Sequence, residues 1–174
     1  ASGMTETSRA FAGEHGVMNN WDKIWKKRTA EIENRATVFE MFKELKRADV
    51  GCEEALRVPT EPRYDVVLAD SVFQYFNDAA YGQKVLERMW AKAGKMVVVT
   101  EVHDQEKKDE HMAYRRKCVE NYDEVYAGLD KTFYTREMFL QFAEEHGGRC
   151  EIVQPDNELY WNNRFVFDCY LYKE

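Results

Sequence analysis

Proline is scarce in this 174-residue chain: of three residues, Pro59 and Pro62 fall close together, so 48–62 reads as irregular while the rest is free to form regular elements. The nine glycines include no Gly-x-Gly, and so no turn of the dinucleotide-binding kind. Cys52, Cys118, Cys150 and Cys169 are scattered, with no Cys-x-x-Cys and no histidine at ligand spacing. That excludes a zinc motif and a disulfide framework, and it fits a reducing cytoplasm. No apolar run approaches the roughly 18 residues of a membrane span, and no secretory core precedes residue 20. Positive charge is also in deficit. The net charge of −7 and the brevity of the basic clusters (Lys23, Lys26, Lys27, Arg28; Arg115, Arg116, Lys117) argue against a nucleic-acid partner.

What is abundant is aromatic side chains, 14% of the chain, enough to fill one core. Residues 1–18 have no period and read as a flexible segment, with Ala1-Ser2-Gly3 taken as an expression scar. A single domain is expected over 19–174. Trp21, Ile24, Trp25 and Ile32, then Val38, Met41, Phe42 and Leu45, recur at helical spacing in 19–48.

Residues 64–69 read as a buried strand. Asn77-Asp78 caps a helix carrying Val85, Leu86, Met89 and Trp90, Gly94 stands as its C′ glycine, and 96–100 is a second buried strand. Strand, helix and strand within 64–100 make a βαβ unit with a parallel pair. A charged helix over 104–120, with Met112, Tyr114 and Val119 inward, is followed by a helix between Thr135 and Gly147. Strands over 150–153 and 164–172 close the chain, the last alternating as an antiparallel strand at the sheet edge.

The segment 64–76, Tyr-Asp-Val-Val-Leu-Ala-Asp-Ser-Val-Phe-Gln-Tyr-Phe, resembles the fourth strand and following loop of class I S-adenosylmethionine-dependent methyltransferases. The last two strands are similar to that family's antiparallel hairpin. The likeness covers 52–174 and implies an α/β fold: a Rossmann-like sheet of parallel strands plus a C-terminal antiparallel hairpin. It also implies S-adenosylmethionine as cofactor and a small-molecule methyl acceptor.

The family's glycine-rich turn and the acid that holds the ribose are not found. Asp49-Val50-Gly51 runs directly into Cys52-Glu53-Glu54-Ala55, which matches a segment beyond the second βα unit. Roughly 50–60 residues, two βα units, are therefore expected to be absent near Gly51–Cys52. A chain without them is expected to bind the cofactor weakly and to be inactive, although the parent would be an enzyme. The alternative is a non-catalytic remnant acting as a dimerisation or partner-binding module, a homodimer included, because loss of two strands leaves the 64–69 strand an open edge.

Carried onto this chain, the resemblance implies a cofactor wall of Glu54 (toward the adenine amino group), Ala55, Asp70, Ser71, Val72, Gln74 and Tyr75. Asp70 and His103 are the candidates for catalysis, His103 as a general base after the second strand beside Glu101 and Asp104. Trp21, Tyr114, Tyr134 and Tyr160 are candidates for acceptor binding, and no metal site is expected. For each there is a plainer reading: strand-end cap for Asp70, solvated loop for His103 and Glu54, core packing for the aromatics. His15, His111 and His146 receive no role.

Overall fold

The apolar run Val66 to Ala69 lies within strand β1 (Tyr64–Asp70), which ends where Ser71 turns away. The computed structural model describes residues 53–156 and 160–174. Trp21, the helices expected over 19–48, the segment 1–18 and the Gly51–Cys52 junction lie outside the described residues.

Asp78 adopts an extended backbone and its carboxylate accepts the Tyr81 N–H at 2.7 Å, starting helix α1 (Ala79–Lys92). The chain then enters β2 (Ala93–His103), parallel to β1 from Val66↔Met96 to Asp70↔Thr100. Gly94 is thus a strand residue rather than the C′ glycine of α1; a side chain there would press on the Tyr64 carbonyl. Cations in and around α1 tie down the preceding segment: Arg88 donates to the Val58 carbonyl at 2.6 Å and Arg63 to that of Ala93 at 2.8 Å.

A 3-10 turn at Gln105–Lys107 precedes α2 (Lys108–Cys118). Its buried residue is His111, whereas Met112 and Tyr114 are half-buried and Val119 falls beyond the helix end. The expected inward face is therefore displaced, because α2 covers the end of the sheet with aromatic rings rather than lying along its face. The short α3 (Tyr122–Val125) follows. Thr135 caps α4 (Arg136–Glu145) through its hydroxyl, and Gly147 ends it at φ 66°.

Strands β3 (Gly148–Val153) and β4 (Val166–Lys173) complete a sheet of order β1-β2-β4-β3, with β4 antiparallel to both neighbours. Two expectations are corrected here. The last strand is interior, not an edge: alternation reports which face a side chain takes but not how many neighbours the strand has. Conversely, β1 is an edge among the described residues, and Tyr64, Val66 and Leu68 are 53%, 47% and 61% exposed instead of buried. An apolar run shows what a strand is able to bury, not what covers it.

The core lies between the sheet and helices α1 and α4. Leu86 and Phe139 from the helices meet Val97, Val99, Phe167 and Leu171 from the strands, all fully buried. Burial of each such side chain contributes about 1.5–3 kcal/mol. Among the described residues no helix is long and apolar enough to cross a membrane.

The paired glycines after α4 are not equivalent. Gly147 needs its left-handed φ but has open space around it, whereas a methyl on Gly148 would strike the Tyr172 carbonyl and the Trp90 ring. Denaturant unfolding is expected to show a loss of about 1–2 kcal/mol for Gly147→Ala from backbone strain. For Gly148→Ala the loss of about 1–3 kcal/mol comes instead from overpacking; because the Tyr172 carbonyl is backbone, a second change, Trp90→Leu, is expected to relieve only part of that loss and none of the Gly147→Ala loss. Rescue of both variants would contradict this packing.

Candidate functional site

The carboxyl ends of β1 and β2 are shaped by two residues in an unusual conformation. Beyond the Asp70↔Thr100 pair, the next residue on each strand is left-handed: Ser71 at φ 54° and Glu101 at φ 58°. On β2 the cause is a bulge. From Val99↔Cys169 to Val102↔Phe167, three steps along β2 are matched by two along β4. Asp168 fills the resulting gap in the ladder, its Oδ1 accepting the Glu101 N–H at 2.9 Å. Left-handed non-glycine residues cost roughly 1–3 kcal/mol each and collect at functional sites.

Below Ser71 a 3-10 turn, Phe73–Tyr75, carries Gln74 into the interior, where it is 4% exposed. Its Nε2 donates to the Ser71 carbonyl and hydroxyl, both at 2.9 Å, while its buried Oε1 has no hydrogen-bond partner among the described residues. Phe73 is a core residue; Val72 is exposed and Tyr75 half-buried. Asp70 is exposed and accepts the Thr100 hydroxyl. Glu54, also exposed, caps the 3-10 turn Ala55–Arg57 by accepting the Leu56 N–H at 3.1 Å, and Ala55 is half-buried there.

A strap over 131–134 crosses these strand ends. The Thr132 N–H donates to the Gln74 carbonyl at 3.0 Å and the Tyr134 N–H to the His103 carbonyl at 2.9 Å. This places the Lys131 amine 3.5 Å from the centre of the Tyr75 ring. Burial first, and then the Arg115 charge, lowers the Lys131 pKa to about 7, with Glu101 acting in the opposite sense. Lys131, and Asn162, which is 5% exposed and whose Nδ2 donates to Glu101 Oε1 at 3.5 Å, were not among the residues singled out in the sequence. No spacing marks them, since loops set by the strap and by the bulge bring them to the strand ends.

His103 is not a solvated loop residue. It is 3% exposed, and His111 is fully buried beside it with ring centroids 4.6 Å apart. Phe133 lies 5.2 Å from His103, and Phe165 stacks on His111 at 4.8 Å. Burial, then His111, Lys131 and Arg115 push the His103 pKa down to about 2, and burial with Arg115 and Lys131 takes His111 to about 4. An imidazole so reluctant to take a proton is poorly suited to general-base work near neutrality. Among the described residues both rings hold partnerless nitrogens: Nδ1 of His103, and both of His111.

Asp104, 1% exposed, accepts from Arg136 at 2.8 Å and from the Glu106 N–H at 3.0 Å, so it anchors the strap and α4. Tyr134 is a core side chain rather than a pocket wall. It is 1% exposed, its hydroxyl donates to the Phe73 carbonyl at 2.8 Å, and burial raises its pKa. Tyr114 stacks on Trp161 at 5.3 Å with Tyr160 nearby, and both Tyr114 and Trp161 reach Phe165, so this aromatic group continues into the His111 cluster. Ser71 and Gln74 are thus joined at the exit of β1 just after Asp70, and Lys131 lies on the ring of the adjacent Tyr75, while Glu54 and Tyr134 are committed elsewhere. Among the described residues no group of three His, Cys, Asp or Glu side chains is placed to hold a metal ion.

No family model matches the chain, and no curated protein matches it. Solved structures do. Magnesium protoporphyrin IX methyltransferase from Synechocystis PCC 6803, with S-adenosylhomocysteine bound, superposes at a TM-score of 0.50 and 6% identity, over 70% of this chain and 49% of that one. A protein from Nostoc punctiforme PCC 73102 assigned as an O-methyltransferase gives 0.52 and 14% identity, over 74% and 37%. The chain has the class I S-adenosylmethionine-dependent methyltransferase fold, and it spans about half or less of the length of these two structures.

The histidine pair makes stability pH-dependent. Because the folded pKa values lie below the ordinary 6.5, the stabilisation is complete above pH 6.5 and is lost as pH falls, through about 4 for His111 and toward about 2 for His103. Denaturant midpoints are expected to fall from pH 6.5 to 4, and His111→Phe, which keeps a ring against Phe165, is expected to flatten that fall. An unchanged slope in this variant would contradict the assignment.

Proposed function

We propose that this chain carries the acceptor-facing part of an S-adenosylmethionine-dependent methyltransferase that acts on a small molecule, with a cofactor site incomplete in the chain itself. One observation carries the reading. At the carboxyl ends of a parallel pair in a methyltransferase-ordered sheet, Ser71 and Glu101 are both held left-handed over a buried Gln74 Oε1 that has no partner among the described residues. Ligands of open α/β sheets collect at such strand ends.

The described residues fit one side of the methyl donor. Gln74 Oε1 offers an acceptor for a donor N–H, Tyr75 a ring face, and Asp70 a carboxylate. They do not fit the whole of it, since among them no glycine-rich turn precedes β1 to receive a carboxylate. No step is therefore derived through the cofactor. Cys118, Cys150 and Cys169 are free thiols, which supports a cytoplasmic setting.

The second reading, a remnant serving as a dimerisation module, draws on the exposed Tyr64, Val66 and Leu68 of edge strand β1. Amide chemical-shift mapping with S-adenosylhomocysteine separates the two. The first predicts a dissociation constant above about 1 mM, a binding free energy weaker than about −4.1 kcal/mol, with shifts confined to residues 70–76. Micromolar affinity would overturn the incomplete site. Shifts absent from 70–76, in a protein that light scattering finds dimeric, would move the conclusion to the second reading.

A further inference from the structure

Behind the strap, α2, α3 and the loop 126–131 enclose a cavity of about 240 Å³. Pockets for drug-sized ligands occupy about 300–1,000 Å³, so this one suits a single small ring. Its lining is aromatic and cationic in a chain of net charge −7: Tyr122, Tyr126 and Phe133 with Lys108, Arg116 and Lys131. The cations are set against rings, Lys108 5.5 Å from the Phe133 centroid and Lys131 3.5 Å from that of Tyr75. Arg115 backs the same wall, 5.2 Å from both the Tyr122 and Tyr126 ring centres, and donates to the Tyr122 hydroxyl at 3.0 Å.

The acidic side chains on the cavity are Asp123 and Asp130. Asp123 is engaged by Arg116 Nε through both of its oxygens, at 3.0 and 3.1 Å. Lys108, Arg116 and the partly protonated Lys131 face two carboxylates, and Arg115 adds positive charge from behind. Such a surplus in a half-closed, ring-lined space attracts an anion with a flat apolar body.

We infer that this cavity binds a small aromatic carboxylate, its ring among Tyr122, Tyr126 and Phe133 and its carboxylate toward Lys131 and Lys108. Lys131 joins the cavity to Tyr75, so the ligand would lie beside the wall assigned to the methyl donor. Taking it as the methyl acceptor rests on the function proposed above; binding itself does not. The Lys131 pKa, lowered first by burial and then by the Arg115 charge, accords with the geometry, because a bound anion would favour the protonated amine against both.

The test uses the 174-residue chain with 4-hydroxybenzoate as probe and 4-hydroxybenzamide as its uncharged analogue, read by amide shift mapping. The carboxylate is expected to perturb residues 108–116 and 122–133, which line the cavity, and to bind about tenfold or more tighter than the amide, the factor equivalent to 1.4 kcal/mol. Lys131→Gln is expected to abolish that preference, and Lys108→Gln to reduce it. The Lys131 amine, followed by side-chain NMR, is expected to titrate higher when the probe is bound. Its charged surroundings are Arg115, Glu101, Lys108, Arg116, Asp123, Asp130 and the neutral His103. No binding, equal affinity for both probes, shifts that miss both 108–116 and 122–133, or a preference that survives Lys131→Gln would overturn the inference. If Lys131→Gln does not fold, Lys108→Gln and the two-probe comparison on the unmodified chain decide it. Failure here leaves 70–76 and S-adenosylhomocysteine untouched, so the two readings fail separately.

Discussion

The bulge in β2 is the constraint on which the rest of the site depends. It turns Glu101 left-handed, and Asp168 from the neighbouring antiparallel strand supplies the acceptor that the ladder lacks at that point. Because Asp70 pairs with Thr100 just before it, the bulge and the exit at Ser71 lie at one level of the sheet. Gln74 is hung from that level through the Ser71 carbonyl and hydroxyl, and the strap through the Gln74 and His103 carbonyls.

Strand β4 makes the arrangement possible. An antiparallel strand between β2 and β3 permits the register slip and delivers Asp168, while its alternate residues Phe167, Cys169 and Leu171 seal the core beneath. Fold and site are therefore coupled through one element. The histidine pair, packed with Phe133 and Phe165, forms a neutral floor under the strap instead of a base.

Much of the fold was legible in the sequence because local signals determined it. Asp78 and Thr135 act as caps, Gly147 stops its helix, and 64–100 forms a parallel pair, each following from a residue type at its spacing. Interior and edge were not legible, because the apolar run of β1 and the alternation of β4 carry no record of their neighbours. Of the candidate site, the exit of β1 from Asp70 to Tyr75 was legible as a strand running into polar residues. Lys131 was not: it is brought to Tyr75 by backbone hydrogen bonds of Thr132 and Tyr134, which any residue type but proline would make. His111 was passed over because its sequence neighbours are charged, although its side of α2 turns inward.

The central claim is that the left-handed conformations of Ser71 and Glu101 are maintained for ligand contact at a cost to the fold. Comparing the unfolding free energies of Ser71→Gly and Glu101→Gly with that of the unmodified chain tests this directly, since glycine adopts φ near 55° without a Cβ penalty. The account predicts that Glu101→Gly is more stable by about 1 kcal/mol, and that Ser71→Gly gains less because it loses the hydroxyl to which Gln74 Nε2 donates. A loss of stability in both would contradict it, showing that these side chains serve the fold and not a ligand.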